Sequence, residues 1–205
     1  MLEPGFHDVP EGCLATVVTY LEMRAPILRP EPHLERGAFA LRRVEMPEVD
    51  WYRDLFRRVG AEDWLWFSRL VMDEAELAAI LKDRDVHVYV LEVGGDEVGL
   101  LELDFRESGA CELAFFGLVT SMIGTGAGRW LLNRAIEHAF RPGVARFHLH
   151  TCTFDSPQAL AFYRRSGFVA VRQQVEVLRD PRLSGYLGED AAPHIPIFRG
   201  VRGPC

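Results

Sequence analysis

Apolar and polar positions change period several times along the chain, and each period predicts an element. Residues 15–23 (Ala-Thr-Val-Val-Thr-Tyr-Leu-Glu-Met) are rich in β-branched side chains and predict a strand; a Pro-rich irregular stretch follows over 25–33. Residues 39–44 predict a second, short strand. Helical spacing runs over 49–59 and 73–82, the latter opened by Asp73 with Glu76 three residues on, the pattern of a capping box. Residues 87–93, the turn Gly94-Gly95-Asp96 and residues 98–105 predict a hairpin. In it Leu101, Leu103 and Phe105 share one face and Glu102 and Asp104 the other. Residues 111–119 continue as a third antiparallel strand.

Residues 126–140 predict a helix that buries Leu131, Leu132, Ala135, Ile136 and Ala139 and ends near Pro142-Gly143. A strand over 145–153 follows. Ser156-Pro157 places a capping hydroxyl before a first-turn proline and opens a short helix, Gly167 closes it, and a last strand covers 168–178. The tail after Asp180, rich in Pro and Gly, has no assignable pattern. This order predicts an α/β (α+β) sheet covered by helices, with the N-terminal strand paired to the main sheet.

With 205 residues, 48% of them hydrophobic, one domain with one sizeable core is expected. No run of about 18 apolar residues occurs, and the first ten residues lack a basic patch leading into an apolar stretch, so a soluble, cytoplasmic protein without a membrane partner is expected. Cys13, Cys111, Cys152 and Cys205 are scattered without zinc-site spacing and are expected as reduced thiols, with no metal. A net charge of -7, with no basic cluster to offset it, argues against nucleic acid.

Directly after a strand, Ile123-Gly124-Thr125-Gly126-Ala127-Gly128 leads into a helix. Free backbone N–H groups there face the positive end of the helix dipole and suit a pyrophosphate; alternatively the glycines only relieve crowding between strand and helix. The spacing is not that of a dinucleotide fingerprint, and no Lys-Ser or Lys-Thr follows as in a P-loop.

About 30 residues later stands Asp155-Ser156-Pro157-Gln158-Ala159-Leu160-Ala161-Phe162-Tyr163-Arg164-Arg165-Ser166-Gly167-Phe168. The two segments together resemble the signature motifs of the GNAT superfamily of N-acetyltransferases: a Gln/Arg-x-x-Gly-x-Gly/Ala loop, then an Asn-x-x-Ala-x-x-x-Tyr-x-x-x-Gly-Phe helix. The resemblance runs from about Phe39 to Val177. Ile123 stands where Gln or Arg is usual and Ser156 where Asn is usual; Gly126 and Gly128 take the motif glycines.

The resemblance implies a GNAT fold, a mixed and mostly antiparallel sheet flanked by helices, here with an extra N-terminal strand. It divides the chain into an N-terminal extension (1–35), an acyltransferase domain (36–180) and an irregular tail (181–205). The sheet should splay between 111–119 and 145–153, with acetyl-CoA or another short acyl-CoA as co-substrate in the gap. Cofactor contacts fall on Leu118, Val119, Ile123, Gly124, Thr125, Gly126, Ala127, Gly128, Arg129, Ser156 and Tyr163. The implied reaction is acetyl transfer in a ternary complex to a primary amine, a small molecule or a peptide. A homodimer is common in the family. The alternative is a non-catalytic acyl-CoA-binding module.

Within that frame Leu118 offers its backbone N–H to the thioester carbonyl, and Tyr163 is either the acid that protonates the leaving thiolate or an aromatic packed between helix and sheet. Glu112 is the expected base: alternation places it on one face with Ala114, Phe116 and Leu118, an apolar setting that would raise its pKa. A paired or solvated edge carboxylate is the competing reading. Glu102, Asp104, His148 and His150 stand in reserve as solvated or structurally hydrogen-bonded groups. Trp64, Trp66 and Phe67 are either an acceptor pocket or core, and Cys152 reads as a small buried hydrophobe.

Overall fold

The computed structural model describes residues 3–32 and 39–200. The boundary placed between residues 35 and 36 and Cys205 lie outside the described residues. Seven strands form one sheet in the order β2-β3-β4-β5-β6-β1-β7. They are β1 (Cys13–Met23), β2 (Ala40–Val44), β3 (Val86–Val93), β4 (Asp96–Asp104), β5 (Ala110–Leu118), β6 (Arg146–Cys152) and β7 (Val169–Arg179). Every neighbouring pair is antiparallel except β5 and β6. The mixed, mostly antiparallel sheet expected from the sequence is therefore present.

The N-terminal strand does not lie at a margin. β1 sits inside the sheet, pairing with β6 on one side and β7 on the other, so its alternate residues Leu21 and Met23 are fully buried. The β3–β4 hairpin closes through Gly94 and Gly95, whose φ values of 62° and 96° meet the demand of a two-residue turn for left-handed backbone at both positions.

Helices cover both faces. On one, α5 (Ala127–Ala139) lays Leu131, Leu132, Ala135, Ile136 and Ala139 against Leu101, Leu103, Phe147 and Leu149, with α6 (Ala159–Arg165) alongside. On the other, α1 (Val49–Phe56), α2 (Glu62–Trp64), α3 (Ser68–Val71) and α4 (Glu74–Leu81) enclose Tyr52, Phe56, Leu77, Val88 and Leu100. The capping box of α4 is formed: Glu76 N–H donates to Asp73 Oδ1 at 2.8 Å and Asp73 N–H to Glu76 Oε2 at 3.3 Å.

Because both faces are covered, the polar phase of β4 is buried too. Glu102 is fully buried and accepts hydrogen bonds from Tyr52 Oη and Arg69, a structural role and not a solvated one. The segment after Asp180 is ordered as well. Leu187, Ala191, Ala192 and Ile195 join the α1–α4 core, held by a buried Asp180–Arg182 ion pair at 2.8 Å. Arg182 Nη1 also donates to the carbonyls of Ala191 and Ile195, at 3.1 and 2.8 Å.

Candidate active site

β5 and β6 pair through three residues only: Ala110 with Arg146, Cys111 with Phe147, and Glu112 with His148. Beyond that point the parallel strands separate, and a cavity of about 640 Å³ opens between them. It is walled by residues 113–118 of β5, the glycine loop, His150 to Cys152, residues 154–163 in part, and the aromatic stretch 64–67.

A bulge shapes one wall. Glu102 pairs with Phe115 and Leu103 with Leu113, so Ala114 is the extra residue on β5. The alternation expected for this strand is broken there. Glu112 shares a face with Phe115, while Phe116 and Leu118 turn to the α5 face, where they pack against its core. Val119 N–H donates to Val98 O at 2.9 Å. Successive amides of an extended strand point to opposite sides, so the N–H of Leu118 is directed away from β4, into the gap.

At the floor, a 3₁₀ turn (Thr120–Met122) leads into the glycine loop, in which Gly124 (φ 84°) and Gly126 (φ 94°) adopt left-handed backbone. A Cβ on Gly126 would stand 3.0 Å from Pro32 Cβ, whereas one on Gly124 would meet nothing within 4 Å among the described residues. Thr125 Oγ1 donates to Met122 O and accepts from Ala127 N–H. Among the described residues, the amides of Gly124, Gly126, Gly128 and Arg129 have no backbone acceptor. Four donors at a helix N-terminus make this end of the cavity suited to an anion, and Arg29, Arg129 and Arg165 also line the cavity.

Leu118, Ile123, Gly124, Gly126, Gly128, Arg129, Ser156 and Tyr163 all line the cavity. Val119 packs into the α1–α4 core, Thr125 turns back onto the loop, and Ala127, the first residue of α5, is fully buried in the core beneath the sheet-facing side of that helix. Glu112 is not part of the wall. Its Oε1 lies 3.4 Å from Nδ1 of His150, which is. The elevation expected for Glu112 is reversed: the hydrogen bond to His150 holds its carboxyl below the ordinary range, and the same bond raises His150.

Tyr163 is at once packed and exposed to the cavity. Its ring lies among Phe116, Phe162 and Phe168, and burial pushes its phenol pKa far above the usual value, so the proton is held. Ser156 Oγ accepts from Gln158 N–H at 3.4 Å, and the helix it was expected to open begins at Ala159. Cys152 also lines the cavity, with a pKa raised by burial that keeps it a thiol.

Three sets of contacts in the wall carry no signature in the sequence, although Trp66 itself is a candidate there. Trp66 rests over Gly60 and against Gly117, where added Cβ atoms would stand 2.2 and 3.0 Å from its ring, and its Nε1 donates to Asp155 Oδ1 at 3.0 Å. Asp155 Oδ2 accepts from Thr151 Oγ1 and Cys152 N–H, fastening the aromatic stretch to the end of β6. Arg29 reaches the cavity because the buried Asn133 of α5 grips its backbone, accepting from its N–H at 3.1 Å and donating to its carbonyl at 2.8 Å. Among the described residues no group of His, Cys, Asp and Glu is arranged to hold a metal, and no helix is long and apolar enough to cross a membrane.

The sequence model of the acetyltransferase (GNAT) family matches residues 48–168, more than half of the chain. Among solved structures, similar folds occur in a GCN5-related N-acetyltransferase from Sphaerobacter thermophilus (TM-score 0.59, 16% identity, covering 80% of this chain and 51% of that one). They also occur in one from Kribbella flavida (TM-score 0.55, 18% identity, 85% and 63%). A functionally unknown conserved protein from Staphylococcus epidermidis is similar too (TM-score 0.58, 16% identity, 82% and 63%). The chain thus spans less than two thirds of the length of each. No curated protein matches its sequence.

Proposed function

The chain belongs to the acetyltransferase (GNAT) family, and from that premise we propose that it transfers an acetyl group from acetyl-CoA to a primary amine, both bound in the cavity between β5 and β6. The observation that carries this reading is the parting of the two strands beyond Glu112 and His148 at a cavity also lined by a loop whose amides, among the described residues, have no backbone acceptor. The residues present fit such a co-substrate. Gly124, Gly126, Gly128 and Arg129 would hold its pyrophosphate through backbone N–H groups, and Arg29 and Arg165 add positive charge to the cavity wall. Bound there, the thioester supplies an activated acyl carbon.

The protein's own part is to orient and to move protons. The Leu118 amide donates to the carbonyl oxygen that gains negative charge. His150 takes a proton from the attacking amine, with Glu112 behind it fixing the ring and favouring the imidazolium that results. As the new C–N bond forms and the C–S bond breaks, Tyr163 gives its phenolic proton to sulfur. Trp64, Trp66 and Phe67 contribute an apolar wall for the acceptor.

Calorimetric titration with acetyl-CoA, CoA and ATP tests the first half: saturable binding of the CoA species alone is expected, and binding of ATP in their place sinks it. Thiol release across a panel of amines tests the second. Tyr163→Phe and His150→Gln should keep cofactor affinity and lose turnover; binding with no turnover on any amine would leave an acyl-CoA-binding module.

A further inference from the structure

The cavity between β5 and β6 is lined from both faces of the sheet, and the charges of its wall are divided between them. Its arginines belong to the α5 side: Arg129 stands in α5, Arg165 ends α6, and Arg29 is held through its backbone by Asn133 of α5. Register sets the other face. Residues directly opposite in an antiparallel pair share a face, so Leu14, which belongs to the α1–α4 core, carries Leu178 with it. Alternation along β1 then adds Thr16 with Glu176 and Tyr20 with His150. These pairs all lie ahead of the irregularity that follows Tyr20.

Two carboxylates line the cavity, Asp155 and Glu176. Asp155 is fully engaged, its two oxygens taken by Trp66 Nε1, Thr151 Oγ1 and Cys152 N–H. Glu176 is exposed and, among the described residues, makes no hydrogen bond or ion pair. Around it this half of the wall is formed by Thr16, Cys152, Phe154, Leu178 and the aromatic stretch 64–67, and His150 is its one basic side chain among the described residues. A carboxylate without a partner on a largely apolar wall is matched by an ammonium group, which forms charge-assisted hydrogen bonds there.

Glu176 does not stand where the reacting amine is activated. By ordinary strand geometry it lies about 13 Å along the sheet and about 10 Å across it from His150, four residues of β1 and two strand spacings. Its charge still reaches that group: after the bond to Glu112, the carboxylates of Asp155 and Glu176 add to the field that raises His150. Granting the acyl-transfer reading, on which this rests, we propose that Glu176 anchors a second cationic nitrogen of the acceptor, so that the substrate class is a diamine. One primary amine is presented to His150, an apolar spacer follows the aromatic wall, and the far nitrogen, protonated, pairs with Glu176.

The anchor is tested without turnover. Linear α,ω-diamines of increasing length, and monoamines of the same lengths, are titrated calorimetrically into the intact chain with and without CoA. The best diamine should bind about tenfold or more tightly than its monoamine, Glu176→Gln should bring that ratio close to one, and Glu176→Lys should invert it. In acetylation assays the same ratio is expected in KM and not in kcat, because the anchor lies away from the reacting atoms. Glu176 is exposed on an edge strand, and circular dichroism confirms that both variants are folded. Diamine preference without turnover of any amine keeps the anchor and sinks acyl transfer. Turnover with diamines and monoamines bound alike overturns the anchor and keeps acyl transfer, and a diamine preference that survives Glu176→Gln overturns it as well.

Discussion

Glu112 Oε1 and His150 Nδ1 stand 3.4 Å apart on two strands that have just stopped pairing, so the last tie across the opening is an ionisable one. The bond stabilises charge on both partners, lowering the carboxylate and raising the imidazole. His150 works as a base only when neutral, so turnover is expected to rise with pH through a midpoint above the ordinary histidine value of about 6.5. Glu112→Gln should move that midpoint to lower pH. An unchanged midpoint would remove the pair from the mechanism. For stability the signs oppose: the His150 contribution is full below its unfolded pKa and fades as pH rises through the folded one. The Glu112 contribution is present above its unfolded pKa and fades as pH falls through the folded one.

The two left-handed glycines should separate by substitution. Gly124→Ala meets no neighbour among the described residues and costs backbone strain, about 1 kcal/mol. Gly126→Ala adds the approach to Pro32 and moves the first helical amides, so acetyl-CoA affinity should fall about tenfold further in titration. Equal losses in the two variants would contradict the assignment of the anion seat.

Gly60 is a glycine because Trp66 lies on it. Gly60→Ala is expected to destabilise the fold by about 2–3 kcal/mol in urea unfolding, and to cost much less in a Trp66→Leu background, where the ring is gone. Additive effects would show that the contact is not what selects glycine there.

Breaking the Asp180–Arg182 pair leaves a buried carboxylate and the freed carbonyls of Ala191 and Ile195. Arg182→Ala should lose about 3–5 kcal/mol, read as a lower thermal midpoint, together with protease sensitivity over residues 180–195. A loss under 1 kcal/mol would mean that the tail is held by its apolar contacts alone.

Much of this was legible in order of residues. Alternation over 98–105 correctly assigned Leu101 and Leu103 to one core and Glu102 to the other face, since a hairpin carries its own register. The glycine loop and α5 were readable because left-handed turns and helical stripes leave local marks. Ala114 was not: a bulge consumes one residue without any compositional sign, and it turned Phe116 away from Glu112. The approach of His150 to Glu112 depends on how far two parallel strands stay paired, which no local pattern encodes. The tail escaped because its order rests on Arg182 reaching the carbonyls of Ala191, Ala192 and Ile195, contacts that no periodic pattern marks.

The position of β1 between β6 and β7 also sets a timetable. Of the seven strands β1 is made before its neighbours and has neither hydrogen-bonding partner until residues 146–152 and then 169–179 have been made, so it waits unpaired while the strands between are synthesised. The final strand, in turn, is joined to the rest of the sheet only through the first. A chain lacking residues 13–23 would therefore lose β7 as well, and with it Glu176 from the wall of the cavity.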